Sequence, residues 1–186
     1  MNRRTFALTI VGGRGERLKP LTDTVPKSMI DIGGRPLIAY QINWMLSQGI
    51  TDVVFLCGYK GEVIKDYFGD GKRFGFNAYY SFEKEPLGRG GAIKKGMKIL
   101  PEGVGTILVT NGDNVTNQPL SELYELHVSL NVVATMMLVP FRSQYGVVEI
   151  SKSGLVEKFV EKGNLPLWIN AGVYLFDRSI STRLPD

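Results

Sequence analysis

The stretch Phe6-Ala7-Leu8-Thr9-Ile10-Val11-Gly12-Gly13-Arg14-Gly15 decides the fold class. Mostly apolar, β-prone chain stops abruptly at a glycine-rich, basic segment that continues to Lys27. A short apolar run bounded in this way reads as a strand buried on both faces, as strands of a parallel sheet are. The same texture recurs at Asp52–Cys57, Phe76–Phe82 and Thr106–Thr110. Helical spacing fills the intervals. Ile38, Ile42, Met45 and Leu46 form one face, with Pro36 in the first turn and Gly49 at the end. Val63, Ile64, Tyr67 and Phe68 form another, stopped by Gly69. Gly91–Leu100 predicts a third helix, and Leu120, Leu123, Tyr124 and His127 lie on the face of a fourth. Strand-like Val132–Val139 closes the alternation, which predicts an α/β fold with a largely parallel sheet covered by helices.

Beyond Val139 the texture changes. Gly146–Ile150, Val156–Val160 and Gly172–Phe176 read as β segments, the first two joined through a hairpin at Ser151–Gly154. The expected organisation is one domain over 1–186, with an α/β part at 1–139 and a β-rich part at 140–186. A chain of 186 residues is of ordinary single-domain size. Its 44% hydrophobic and 22% charged content excludes disorder as the overall class. No apolar run approaches the roughly 18–20 residues that span a membrane. One cysteine, Cys57, excludes an internal disulfide, and with one histidine, His127, it cannot build a structural zinc cluster. A net charge of +4 is too small to argue for nucleic acid, and the basic segment has no base-stacking aromatics. Arg3 and Arg4 superficially match a twin-arginine export signal, but Arg14, Glu16, Arg17 and Lys19 follow where the apolar region would continue. The reading is a first strand in a cytoplasmic protein.

In open α/β sheets, ligands bind outside the carboxyl ends of the strands. Three loops leave such ends: 12–27, 57–61 and 111–116. In the first, Gly12, Gly13 and Gly15 permit backbone N–H groups to approach an anion, and Arg14, Arg17, Lys19 and Lys27 add cations. Together they suit a polyphosphate; the competing reading is a turn with a solvated basic surface. The dinucleotide fingerprint begun by Gly13 and Gly15 fails at Leu18, and no P-loop is present. In Asn111-Gly112-Asp113-Asn114 the carboxylate is placed to hold Mg²⁺, which takes one or two carboxylates plus substrate phosphates; a plain turn is the alternative. The loop from Glu83 through Glu85 to Gly88, Gly90 and Gly91 permits flat approach of a ring or ribose, or simply joins strand to helix. Glu161-Lys162 reads first as a solvated surface pair. Cys57 reads as a small core residue, Trp44 and Trp168 as core or pocket wall with core the default, and His127 sits among core positions rather than as a catalytic base.

These motifs, in order, resemble the sugar-1-phosphate nucleotidylyltransferases. The resemblance runs from Gly12–Thr22 with Pro26-Lys27 through Gly33–Leu37, Gly58–Gly61, Tyr67–Gly71, Glu85–Gly88, Asn111–Asp113, Tyr145–Val147, Glu161-Lys162 and Asn170–Gly172. It implies a GT-A-like, Rossmann-related sheet with a C-terminal sugar-binding part. It implies transfer of a nucleoside monophosphate from an NTP to a sugar 1-phosphate, with release of pyrophosphate. On this sequence it implies catalytic roles for Arg17, Lys27 and Asp113, with Asp113 the Mg²⁺ ligand. Gly12, Gly13, Arg14, Gly15, Glu83, Glu85, Gly88 and Gly112 would meet the nucleotide. Gly146, Glu161, Lys162, Asn170 and Gly172 would meet the sugar phosphate.

The residue types agree with that chemistry. A phosphate monoester has a second pKa near 6, so it is largely a dianion at neutral pH and needs no strong general base. Juxtaposing two anions and stabilising the leaving pyrophosphate call for cations and positioning. The sequence also departs from the family pattern. Glu16 stands where Thr is usual, and Arg89 and Gly163 replace the usual Thr and Pro. Members commonly continue past the position of Asp186 with a strand carrying a second metal-binding Asp and helices used in oligomer contacts. The expectation is therefore a C-terminally short member, with self-association as a family trait and no role assumed for Asp177. A carboxylate at Glu83 or Glu85 suits the two donors on guanine's Watson–Crick edge, or a ribose. The Glu85–Gly88 texture is slightly more similar to mannose- and heptose-phosphate guanylyltransferases than to thymidylyltransferases, and Cys57–Gly61 is similar to the cytidylyltransferases, so the base stays open. A non-catalytic nucleotide-binding relative is the competing class. A glycosyltransferase is disfavoured, because Asp113-Asn114-Val115 lacks the second Asp of a D-x-D metal motif.

Overall fold

The computed structural model describes residues 5–185; Arg3 and Arg4 lie outside them. Strands β1 (Phe6–Ile10), β2 (Asp52–Cys57), β3 (Asn77–Phe82) and β4 (Thr106–Asn111) are all parallel. Leu8 pairs with Val54 on one side and Val109 on the other, which places β1 between β2 and β4. Two later strands, β5 (Ala134–Arg142) and β8 (Asn164–Asp177), extend the sheet to the order β3-β2-β1-β4-β8-β5. β8 runs antiparallel to β4, with Leu175 opposite Leu108. The expected α/β class holds, with a mostly parallel sheet and added antiparallel strands.

β1, β2 and β4 lack polar alternation because both their faces are covered. Phe6, Leu8, Val54, Leu56, Ile107 and Val109 pack with Ile93 and Met97 of α3 (Gly88–Met97). On the other face, Phe55 stacks on Phe68 of α2 (Gly61–Phe68), with ring centroids 5.3 Å apart. Ile38, Ile42 and Met45 of α1 (Leu37–Ser47) are buried as the helical spacing requires. The fourth helix, α4, spans Ser121–Ser129. α3 begins at Gly88, earlier than the expected Gly91, so its glycine-dense start is first-turn helix rather than loop. Glu83 Oε2 accepts the Leu87 N–H (3.1 Å) and fixes the chain where the helix starts. No helix among the described residues is long and apolar enough to cross a membrane.

The chain divides into two compact units. The first holds the residues up to Met136 and those from Gly172 onward. The second is Met137–Ala171 and contains the hairpin of β6 (Val147–Ile150) and β7 (Val156–Val160). Residues 140–186, read from sequence as one β-rich part, are thus shared between the units. The reason is β8: its apolar end, Val173 and Leu175, is buried beside β4. Trp168, expected in the core, is instead 66% exposed. It lies in the second unit, where every residue of β7 is also exposed; so small a body has little interior to offer.

His127 is buried on α4, its Nδ1 2.8 Å from Thr135 Oγ1. Burial lowers its pKa from the ordinary 6.5, against a weaker opposing pull from Asp177. The unfolded imidazole therefore takes a proton more readily than the folded one, so its stabilising contribution is lost as pH falls below about 6.5. Asp177, held below its ordinary 3.8 by hydrogen bonds from Ser179, is lost only at more acid pH. The expected result is a thermal midpoint that declines from about pH 7 to about pH 5, and a flatter decline in His127→Gln. Differential scanning fluorimetry over that range checks it; equal slopes in the two proteins would refute it.

Candidate active site

β1 and β4 are neighbours and parallel, so the loops that follow them emerge at the same end of the sheet. Between them and the β3–α3 connection lies a cavity of about 320 Å³. Its wall includes Gly12, Gly13 and Gly15 after β1, Lys27 and Ser28 further along the same loop, and Asn111, Gly112 and Asp113 after β4. Glu83, Pro86, Gly88 and Arg89 complete the wall from the β3–α3 side.

Close approach of backbone assembles this wall. Gly112 N–H donates to Ile10 O (2.8 Å), stitching the end of β4 to the end of β1. A Cβ on Gly112 would run into Val11 Cγ1 and stand 2.9 Å from Ile10 O. Gly15 adopts the left-handed conformation (φ 63°) and starts a short 3-10 turn at Glu16–Leu18. Its carbonyl accepts from Thr22 Oγ1 (3.1 Å), and a Cβ there would lie 2.9 Å from Lys27 Cβ. The glycine loop is thereby folded back onto a second 3-10 turn, Lys27–Met29. Tyr59 and Lys60, in the loop after β2, hold it from outside through Thr22 O (3.1 Å) and Asp23 O (2.6 Å).

Lys27 Nζ donates to Asp113 Oδ2 at 2.5 Å, and both side chains are about one-third exposed, toward solvent rather than sealed in the core. Asp113 is the carboxylate expected to take Mg²⁺. One carboxylate about one-third exposed, with a neighbouring Lys and a glycine loop beside it, suits a hard cation that arrives with substrate phosphates. Among the described residues, no group of three or more His, Cys, Asp or Glu forms an all-protein cage. Arg14 lies over the Tyr59 ring (5.9 Å), and Arg17 is exposed on the Glu16–Leu18 turn; neither is part of the cavity wall. Glu83 lines the cavity with Oε2 engaged by Leu87, and its Oε1 is 2.6 Å from where a Cβ of Gly58 would be. Glu85 is exposed and outside the wall.

The residues expected at the sugar phosphate separate between the units. Gly146, Glu161, Lys162 and Asn170 belong to the second unit. There Glu161 Oε2 lies 3.1 Å from where a Cβ of Gly146 would be, and Lys162 has φ 50°. Lys162 also borders a cleft with Arg142, Ser143 and Gln144. Gly172 belongs to the first unit and backs the Asp113 loop: a Cβ on it would stand 2.5 Å from Asn111 Nδ2.

Sequence reading passed over Ser28, Gln41 and Arg89. Arg89 reads in the sequence only as a departure from the family pattern, yet it lines the cavity. Gln41 sits on the face of α1 that reads as apolar, 1% exposed, and its Nε2 donates to Asn111 O (2.7 Å). Trp44 Nε1 donates to Gln118 O (2.8 Å) and Gln48 Oε1, on the residue that caps α1, accepts the Leu120 N–H (2.8 Å), so α1 and its cap clamp the loop that carries Asp113. Cys57 is fully buried as expected, and burial, with Glu62 and Glu83 adding, pushes its thiol up to about 12. That excludes a thiolate nucleophile.

Comparison with known proteins shows the family. The nucleotidyl transferase family model matches residues 6–185, and the chain belongs to that family. It is 38% identical to a mannose-1-phosphate guanyltransferase of Pichia angusta, over 93% of this chain and 50% of that protein. It is 37% identical to a D-glycero-alpha-D-manno-heptose 1-phosphate guanylyltransferase of Aneurinibacillus thermoaerophilus, over 94% of this chain and 75% of that one. The chain thus spans about half the length of the mannose-1-phosphate guanyltransferases it matches. Among solved structures, HddC from Yersinia pseudotuberculosis complexed with GMP-PN superposes with a TM-score of 0.75 at 28% identity, covering 98% of this chain and 80% of that one.

Gly112→Ala tests the assembly of the wall. Val11 can rotate away from an added methyl, but Ile10 O cannot. The expected cost is about 1–3 kcal/mol of stability, together with weaker nucleotide binding because Asp113 moves with the loop. Chemical denaturation and calorimetric titration with an Mg²⁺–NTP measure both. A stability within about 0.5 kcal/mol of the parent would show that the stitch is slack.

Proposed function

We propose that this chain transfers guanylyl from GTP to a hexose or heptose 1-phosphate, forming a GDP-sugar and pyrophosphate with Mg²⁺. The observation that carries the reading is the cavity itself, which gathers Gly12, Gly13, Gly15, Lys27 and Asp113 from two loops at the carboxyl end of the sheet. The guanine assignment is supported by the names of the mannose- and heptose-phosphate guanylyltransferase relatives and by the GMP-PN complex of HddC.

A sugar-phosphate oxygen attacks the α-phosphorus of GTP. The bond from that phosphorus to the bridging oxygen breaks, and its electron pair leaves with pyrophosphate. No group in the cavity has to remove a proton, because the attacking phosphate is already largely dianionic. Backbone N–H groups of the Gly12–Gly15 loop hold the triphosphate, and Lys27 compensates charge between the two anions. Arg14 and Arg17, exposed on the same loop, attract the polyphosphate. Asp113 would hold Mg²⁺, which when bound neutralises charge building on the leaving group. In the ligand-free protein, Lys27 keeps the Asp113 carboxylate oriented. Gly88 opens the β3–α3 wall to the base or ribose, with Glu83 bracing that wall through Leu87. The second unit's Gly146, Glu161, Lys162 and Asn170 would recognise the sugar phosphate.

The test is pyrophosphate release with Mg²⁺, over the common NTPs crossed with mannose, glucose and heptose 1-phosphates. Release that requires both substrates and is fastest with GTP is expected, with a fall of about 10²–10³-fold in Asp113→Asn. Tight GTP binding with no release in any combination would favour a non-catalytic nucleotide-binding domain. Release with TTP or UTP but none with GTP would overturn the guanylyl assignment.

A further inference from the structure

Two buried side-chain polar atoms among the described residues have no hydrogen-bond partner: Ser28 Oγ and Gln41 Oε1. Both belong to segments that bracket the Asp113 loop. Gln41 is occupied through its other amide atom, which donates to Asn111 O, and it is not part of the cavity wall. Ser28 differs. It is 3% exposed, it lines the cavity, and it follows Lys27 on the Lys27–Met29 turn. A buried hydroxyl without a partner is retained in a folded protein where something bound supplies one. Here Gly12, Gly13, Gly15, Lys27 and Arg89 line the same wall, and the hydroxyl adds a further donor to the cationic and backbone donors those residues carry. Such a set of donors matches phosphate oxygens and not a base edge, which carries donors of its own.

We propose that Ser28 is a phosphate-binding residue of the nucleotide site, its hydroxyl donating to a phosphate oxygen of the bound NTP next to Lys27. This rests on the nucleotidyl-transfer reading and adds a contact to it. The ligand completes what the free fold leaves unmet, so the hydroxyl contributes to affinity and not to the stability of the free protein. Ser28→Ala separates the two. It removes the orphan without adding bulk, and Ser28→Cys keeps the shape with a much weaker donor.

Calorimetric titration with GTP, inorganic pyrophosphate and guanosine, each with Mg²⁺, gives the affinities, and thermal melting of the free protein gives the stability. Both variants are expected to bind GTP and pyrophosphate about tenfold more weakly. Guanosine affinity should be unchanged, and the free-protein melting temperature equal to or above the parent's. A lower melting temperature with pyrophosphate affinity within about twofold would overturn the proposal, since the hydroxyl would then serve the fold through a bound water. Loss confined to guanosine would place the contact at the nucleoside and overturn it equally. Parent protein that binds neither GTP nor pyrophosphate would overturn the nucleotidyl-transfer reading itself. Parent binding that both variants retain would overturn the Ser28 assignment alone.

Discussion

The site depends on one backbone contact, the hydrogen bond from Gly112 N–H to Ile10 O (2.8 Å). β1 and β4 are adjacent and parallel, so their exits lie side by side, but adjacency alone leaves the loops free to diverge. The stitch carries the pairing one residue beyond Asn111, and it exists because residue 112 has no side chain to meet Ile10 O and Val11. The next residue is Asp113, which the stitch delivers to Lys27, 86 residues earlier in the chain. Gly15 performs the complementary task, letting the glycine loop fold down on Lys27 from the other direction.

What gathers there is chemically one-sided. The protein's histidine is buried on α4 against Thr135, and its cysteine is buried in β2 with a thiol that does not ionise near neutral pH. The cavity holds N–H donors, a lysine, two carboxylates and exposed arginines nearby. It is suited to orienting anions and compensating charge, and poorly equipped for proton abstraction or covalent catalysis. Phosphoryl-group chemistry is the type that needs the first and can dispense with the second.

Much of this was legible from residue order. Phe6–Ile10, Asp52–Cys57 and Thr106–Asn111 declared themselves because a strand buried on both faces must be apolar throughout, and the glycines after them declared the binding end. Asp113 was legible because it stands one step past such a strand. Three features were not. α3 starts inside a Gly-Arg-Gly-Gly segment that intrinsic propensity assigns to loop. The Glu83 carboxylate overrides that preference by capturing the Leu87 amide, a contact between residues whose meeting only the folded chain defines. β8 extends back to Asn164, although Pro166 and Asn170 interrupt any strand pattern. Trp168 is exposed because the rule that large aromatics are interior presumes an interior, and Met137–Ala171 is too small a body to supply one.

The least legible part of the site is its backing. α1 reads as a plain amphipathic helix, and its apolar stripe is buried as the 3.6-residue period demands. The same buried side also carries Gln41 and Trp44, and half-buried Gln48 caps the helix; their polar atoms reach Asn111, Gln118 and Leu120 along the loop that follows β4. Periodicity weighs such residues as interruptions of a hydrophobic face, because a one-dimensional pattern records where a side chain points and not what it finds there. In the folded chain the interruptions are the function of the face: each satisfies a backbone group of a loop that has no regular partner of its own. A helix that contributes no residue to the cavity wall thereby holds the wall's carboxylate in place. The same logic distinguishes Ser28, whose hydroxyl is buried like these side chains yet meets no backbone group, on a residue that belongs to the cavity wall.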